Sequence, residues 1–226
     1  MELIYKDKHL VAVFKPAGVP SQPDLSGDND AMTIASSILK GEGEKNTELY
    51  LVHRLDRVVG GILVFARNRA AAARLSQIMS ERTAEKEYVA VVEGEPEGGI
   101  LKDFLYKDAR AGKAFVTDRK RAGVKEASLE YIPIECIETE RGKRTLVRVK
   151  LHSGRFHQIR VQFASRKHPI VGDGKYGSRD GQASMPALFA FKLSFDLDGR
   201  KYEFRKLPDT NLYPWSIFNY DREALL

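Results

Sequence analysis

The chain has 226 residues, enough for one large hydrophobic core or two small ones. Its 37 Lys and Arg against 31 Asp and Glu give a net charge of +6 and a pI near 9.3, a balance that suits a polyanion such as RNA but also fits many unrelated proteins. The single cysteine, Cys136, excludes an internal disulfide. With no signal-peptide core and no run approaching ~20 apolar residues, the expectation is a soluble cytoplasmic protein that spans no membrane.

In chain order, apolar and β-favouring runs predict strands at 10–14, 49–52, 62–65, 88–92, 127–137, 145–151, 188–195 and 202–204. Cys136 falls in the fifth of these and reads as a small buried hydrophobe. Amphipathic spacing predicts helices over 31–39 and 69–82; in the second, Ala71, Leu75, Ile78 and Met79 share one face, opposite Arg69, Arg74 and Arg82. A third helix is expected to start near Phe156, with Ser153 and Gly154 at its entry and amides that would favour an anion. Gly and Pro clusters at 16–18, 94–99 and 172–177 mark turns, not an interdomain linker. Strands in excess of helices, without regular βαβ alternation, predict an α+β fold on a mixed, mainly antiparallel sheet.

Residues 53–67, HRLDRVVGGILVFAR, set one carboxylate between two arginines just before a glycine pair and an apolar run. In an extended stretch Arg54 and Asp56 share a face while Leu55 turns inward. A neighbouring cation favours the ionised carboxylate, so Asp56 is a candidate nucleophile or general base; the competing reading is an ordinary Arg–Asp ion pair. A second segment, Gly154 to Val161 (GRFHQIRV), brings Arg155, His157 and Arg160 close together in sequence. On a helix His157 and Arg160 would lie on one face, and the bland alternative is a solvated basic surface.

Taken in order, the opening 3–20 with its Lys-Pro-Ala-Gly turn, the His-Arg-Leu-Asp segment, the tyrosine-bearing stretch 85–94 and the Gly-Arg-x-His-Gln-Ile-Arg segment followed by 169–177 resemble the RluA-type family of pseudouridine synthases. The likeness runs from about residue 3 to the region of Arg205.

That resemblance implies a long, bent mixed sheet with packed helices and a central catalytic cleft. It implies a single catalytic domain over 1–226 without a separate N-terminal RNA-binding domain, acting as a monomer. The implied activity is isomerisation of specific uridines in structured rRNA or tRNA, with no cofactor and no metal. Asp56 takes the family's aspartate position, Tyr88 that of the aromatic that stacks on the target base, and Arg160 that of the arginine that holds the carboxylate. His53, Arg54, Arg57, Arg155 and His157 fall to substrate binding, the arginines because planar donors reach phosphate oxygens bidentately. Stacking holds a freed base at about 1–3 kcal/mol per contact, and extruding a uridine is cheapest from a loop or bulge.

Two departures from the family pattern bear on the pocket. Val58 and Val59 replace a polar pair before the glycines, and Phe156 replaces the usual threonine. Rival classes are a catalytically silent RNA-binding or assembly factor on the same fold and an unrelated hydrolase. A two-carboxylate glycosidase lacks its second acid, and five His with one Cys show no metal-ligand spacing.

Overall fold

The computed structural model describes residues 1–119 and 121–219. The chain divides into two compact units, Met1–Lys86 with Ala190–Pro208, and Glu87–Phe189 with the segment from Asp209 onward. Two strands, β5 (Glu85–Glu93) and β10 (Leu188–Leu197), carry the chain from one unit into the other.

In the first unit, β1 (Glu2–Lys6), β2 (Leu10–Lys15), β4 (Gly60–Ala66) and β10 lie in that order, with β3 (Tyr50–Leu51) beside the end of β4 and β11 (Arg200–Arg205) beside β10. β2 and β4 pair antiparallel from Leu10↔Ala66 to Lys15↔Gly61. All seven residues of β4 are buried, which explains its unbroken apolar run: a strand covered on both faces has no polar face to show. Gly61 lies against the Ala190 backbone at φ 133°, where a Cβ would come within 2.3 Å of the Ala190 carbonyl oxygen, so only glycine fits.

The helices begin where their caps allow. Asp30 accepts the amides of Met32 and Thr33 and opens α1 (Ala31–Gly41), which buries Ala31, Ala35 and Leu39 at four-residue spacing. Asn68 caps α2 (Arg69–Glu81), and Arg82 in the left-handed region ends it. Ala71 and Leu75 of α2 pack with Leu10, Ile62, Val64, Phe195, Tyr202 and Phe204 into the core of this unit.

In the second unit the order is β5, β9 (Arg144–Leu151), β8 (Val124–Ile137), β6 (Gly99–Asp108) and β7 (Lys113–Val116). β9, β8, β6 and β7 form an antiparallel ladder. Helix α3 (Gln158–Ser165) covers one face, where Val161 meets Leu105, Ala114, Ala127 and Tyr176, and Phe163 packs edge-on to Tyr131 at 4.9 Å. The α+β expectation is borne out: the sheets are mainly antiparallel, with three α-helices among the described residues.

Three local expectations need correction. Strands β6 and β7 carried no strand prediction; β6 is held by pairing on both sides, and its exposed Lys102 and half-exposed Asp103 break the apolar run. Helix α3 starts at Gln158, two residues after Phe156. Cys136 is exposed, because it lies beyond the register shift between Pro133 and Glu135, where the burial of β8 has fallen away. No helix among the described residues is long and apolar enough to cross a membrane.

Candidate functional site

In the first unit, burial in the stretch before β4 follows the expected alternation, with Arg54 exposed, Leu55 buried and Asp56 between, and Asp56 opens a turn whose Val59 amide donates to the Asp56 carbonyl at 3.0 Å. Two reciprocal hydrogen-bond pairs fasten the residues flanking Asp56. The Leu55 amide donates to Ser21 Oγ at 3.1 Å while that hydroxyl donates to the Leu55 carbonyl at 2.8 Å. The Gly18 amide donates to the Arg57 carbonyl at 2.8 Å, and Arg57 Nε donates back to the Gly18 carbonyl at 3.0 Å. An aspartate between two such anchors loses little entropy on reaching a working geometry.

One cation whose charge is coupled to Asp56 within this unit is Lys15, a residue that sequence reasoning left in a turn motif without a role. Its side chain is fully buried, and Nζ donates to the carbonyls of Val19 (2.7 Å), Pro16 (3.0 Å) and Arg57 (3.2 Å). Burial draws its pKa down to about 8, opposed by the Asp56 carboxylate and reinforced by Arg57.

His53 turns out to be a structural acceptor. Its Nε2 accepts the Val64 amide at 3.0 Å, completing the ladder of β4 just past the end of β3. That bond needs a neutral ring with its proton on Nδ1, and desolvation, with the Lys86 charge, lowers the His53 pKa to about 3. Arg57 is exposed, and besides Gly18 its guanidinium holds Ser26 Oγ at 3.2 Å and pairs with Asp28.

In the second unit, Tyr88 sits half-buried on β5, between buried Glu87 and Val89, which point to the other face. Glu87 accepts Arg148 Nε from β9 at 2.6 Å. Arg160, on α3, is buried, and Asp173 takes its guanidinium in a two-pronged bond, Nε to Oδ2 at 2.7 Å and Nη2 to Oδ1 at 2.9 Å. The solvated-surface reading is therefore wrong for Arg160.

Tyr176, absent from the sequence-based candidates, joins the pieces of this region. Its hydroxyl accepts the Ala114 amide at 2.7 Å and bonds His157 Nδ1 at 2.9 Å, while the guanidinium of Arg160 lies 5.1 Å from its ring centre. Since one lone pair takes Ala114, the hydroxyl proton is available for Nδ1. Burial, with Arg160, Lys175 and Lys107 nearby, lowers the His157 pKa to about 3, so the ring is neutral at physiological pH.

The late start of α3 follows from Gln158. Its Oε1 accepts the Arg155 amide (3.0 Å) and the Ser153 hydroxyl (2.8 Å), and its Nε2 donates to the Ser128 carbonyl, so residues 153–158 close into a loop instead of a helical turn. His157 caps the helix at φ 53°, outside it, yet still meets Tyr176 together with Arg160. Phe156 stacks on the His157 ring at 3.7 Å and carries the Lys107 ammonium at 4.6 Å, so the side chain that replaces threonine supplies ring contact in place of a hydroxyl. Arg155 Nε donates to the Glu126 carbonyl at 2.8 Å.

Strand order and the basic, aspartate-bearing motif define an α+β protein of the pseudouridylate synthase fold. Human RNA Pseudouridylate Synthase Domain Containing 4 superposes with a TM-score of 0.75, covering 92% of this chain and 89% of that one at 22% identity. The sequence profile of RNA pseudouridylate synthases matches residues 9–165, and the chain belongs to that family. It is 32% identical over 187 residues to tRNA pseudouridine synthase C of Vibrio parahaemolyticus, covering 78% of this chain and 74% of that protein. With ribosomal large subunit pseudouridine synthase D of Borreliella burgdorferi it shares 28% identity over 211 residues, covering 90% of this chain and 63% of that protein. Two further relatives are likewise longer, the chain spanning 63% and 60% of their lengths.

Proposed function

We propose that this chain isomerises uridine to pseudouridine in structured RNA, as a cytoplasmic monomer. The reaction breaks the bond from ribose C1′ to uracil N1 and joins C1′ to C5, adding and removing no atoms, so it calls for no cofactor. What the protein must supply is a fixed carboxylate, a surface for the detached base and control of protons. Asp56 is the nucleophile or base. The observation that carries the reading is its setting, at the family's aspartate position with Leu55 and Arg57 fastened on either side and the Lys15 ammonium buried nearby.

Tyr88 is proposed as the ring on which the base stacks, and Arg160, held by Asp173, as the positioning cation. Arg54 and Arg155 would engage phosphate, with His157 beside them as a neutral hydrogen-bonding ring. Arg57 and His53 contribute chiefly by holding the aspartate segment and β4, given the bonds they already make. Both ribosomal and transfer RNA fit the relatives' names.

The test is to incubate the chain and its Asp56→Ala variant with total RNA lacking endogenous modification and to map pseudouridine by chemical labelling. A mark made by the wild type alone supports the proposal and identifies the substrate. RNA retardation by both proteins without any mark would leave only a binding module.

A further inference from the structure

The outer face of the β6, β7 and β8 strands in the second unit has no part in the chemistry proposed above. Leu101 and Leu105 of β6, Ala114 of β7 and Ala127 and Leu129 of β8 are buried on the α3 side. By strand alternation Lys102, Phe104 and Tyr106 point the other way. Tyr106 lies directly opposite Phe115 of β7, and Phe115 is 42% exposed, so the two rings form an adjacent cross-strand pair open to solvent on the β7 side. The Arg121 guanidinium lies 3.9 Å from the centre of the Tyr106 ring, and Lys113 Nζ 5.7 Å from that of Phe115.

The stretch of sequence that carries these rings is also basic. Residues 99–126 hold eight basic side chains (Lys102, Lys107, Arg110, Lys113, Arg119, Lys120, Arg121 and Lys125) against four acidic ones (Asp103, Asp108, Asp118 and Glu126). Their net +4 is most of the +6 of the whole chain. Of the acids, Asp103 is paired with Arg166 and Asp108 accepts the amides of Arg110 and Ala111; of the bases, Lys107 lies over Phe156 on the α3 side, while Lys102 and Arg121 belong to the outer face. Glu126, opposite Phe104, bounds the patch on the β8 side.

We infer that the Tyr106–Phe115 pair, with Arg121 and its basic surroundings, is a stacking platform for a single-stranded segment of the RNA. Adjacent rings on a sheet offer π-faces to successive bases whatever their identity, and lysines and arginines around them take the phosphates. Arg121 now occupies the position over Tyr106 that a base plane would take; on binding, its guanidinium moves to the flanking phosphate. A duplex, whose bases are already stacked on one another, has no use for the rings and would feel the charge alone. The inference rests on the RNA reading above and deepens it by naming the strandedness of the bound region.

The experiment measures fluorescence anisotropy of a dye-labelled oligouridylate of about 12 nucleotides, and of a duplex of the same length, with the full chain and three variants: Tyr106→Leu with Phe115→Leu, Phe115→Ser alone, and Arg121→Gln. Phe115→Ser changes an exposed side chain only, so it remains informative if the double variant fails to fold. The expected result is single-strand binding weakened about tenfold or more in the double variant and several-fold in Phe115→Ser, with duplex binding changed less than twofold. Unchanged single-strand binding, or equal losses for both probes, would overturn the platform. So would a loss of self-association in sedimentation with RNA binding intact, which would make the face a contact between copies of the chain. The catalytic proposal is read by pseudouridine formation and the platform by oligonucleotide anisotropy, so the failure of either gives a separate readout.

Discussion

Asp173 grips one edge of the Arg160 guanidinium, through Nε and Nη2 at 2.7 and 2.9 Å, while both side chains are all but sealed from water. Asp173→Ala should therefore cost about 3–5 kcal/mol of unfolding free energy, because it removes the bidentate partner of a buried cation. An Arg160→Met, Asp173→Leu double variant should recover most of that stability and none of the activity. Urea denaturation and pseudouridine formation measured on both proteins check this, and an active double variant would remove Arg160 from the machinery.

The Lys15 ammonium has a depressed pKa near 8, against 10.5 for an ordinary lysine. Between those values the unfolded chain holds a proton that the folded one does not, so this group makes stability rise with pH from about 8 to 10.5 and fall as pH returns to 8. Activity should move the opposite way. Deprotonation removes a positive charge coupled to Asp56, and kcat/KM is expected to decline above about pH 8. A Lys15→Met variant leaves three carbonyls without their donor and should lose at least about a hundredfold in kcat. A pH–rate profile flat to pH 10 would contradict the assignment.

His53 and His157 carry pKa values drawn down to about 3 by burial. A depressed histidine is protonated in the unfolded chain from about pH 6.5 downward while the folded ring stays neutral, so stability is complete above 6.5 and drains away as pH falls toward 3. Thermal melts followed by circular dichroism should show Tm dropping steadily below pH 6.5. Gln at both positions keeps an acceptor for Val64 and should flatten that slope; a slope unchanged in the double variant would put the acid sensitivity elsewhere.

Gly61→Ala would press a methyl group into the Ala190 backbone at a φ of 133°. Both faults are local and neither neighbour is a movable side chain. The expected loss is about 3 kcal/mol or more, or failure to fold, read from the denaturant midpoint.

Much of this was legible in the sequence where apolar residues follow one period. Strand β4 and helices α1 and α2 were readable because a two-sided strand and an amphipathic helix write their burial directly into residue order. Strand β6 was not, because its apolar residues fall on both faces: Leu101 and Leu105 inward, Phe104 and Tyr106 outward, with lysines and aspartates between. Asp56 and Arg160 were reachable through motifs. The roles of Lys15, Asp173 and Tyr176 were not, since each depends on a partner met only in space: Lys15 on the Arg57 carbonyl, Asp173 on a guanidinium 13 residues earlier, Tyr176 on the Ala114 amide 62 residues away. The Gln158 loop closure also moves the start of α3 two residues past the one that the Ser153–Gly154 entry suggested.

The bond from the Ala114 amide to the Tyr176 hydroxyl has one more effect. Strand β7 is the last in its sheet order, four residues long, and a rim of that kind invites an extra strand from another molecule. Spending the outward donor at its middle on a tyrosine, next to the charged Lys113, denies an incoming chain its first hydrogen bond, so the rim is guarded against fibril-like growth while the face beside it stays open.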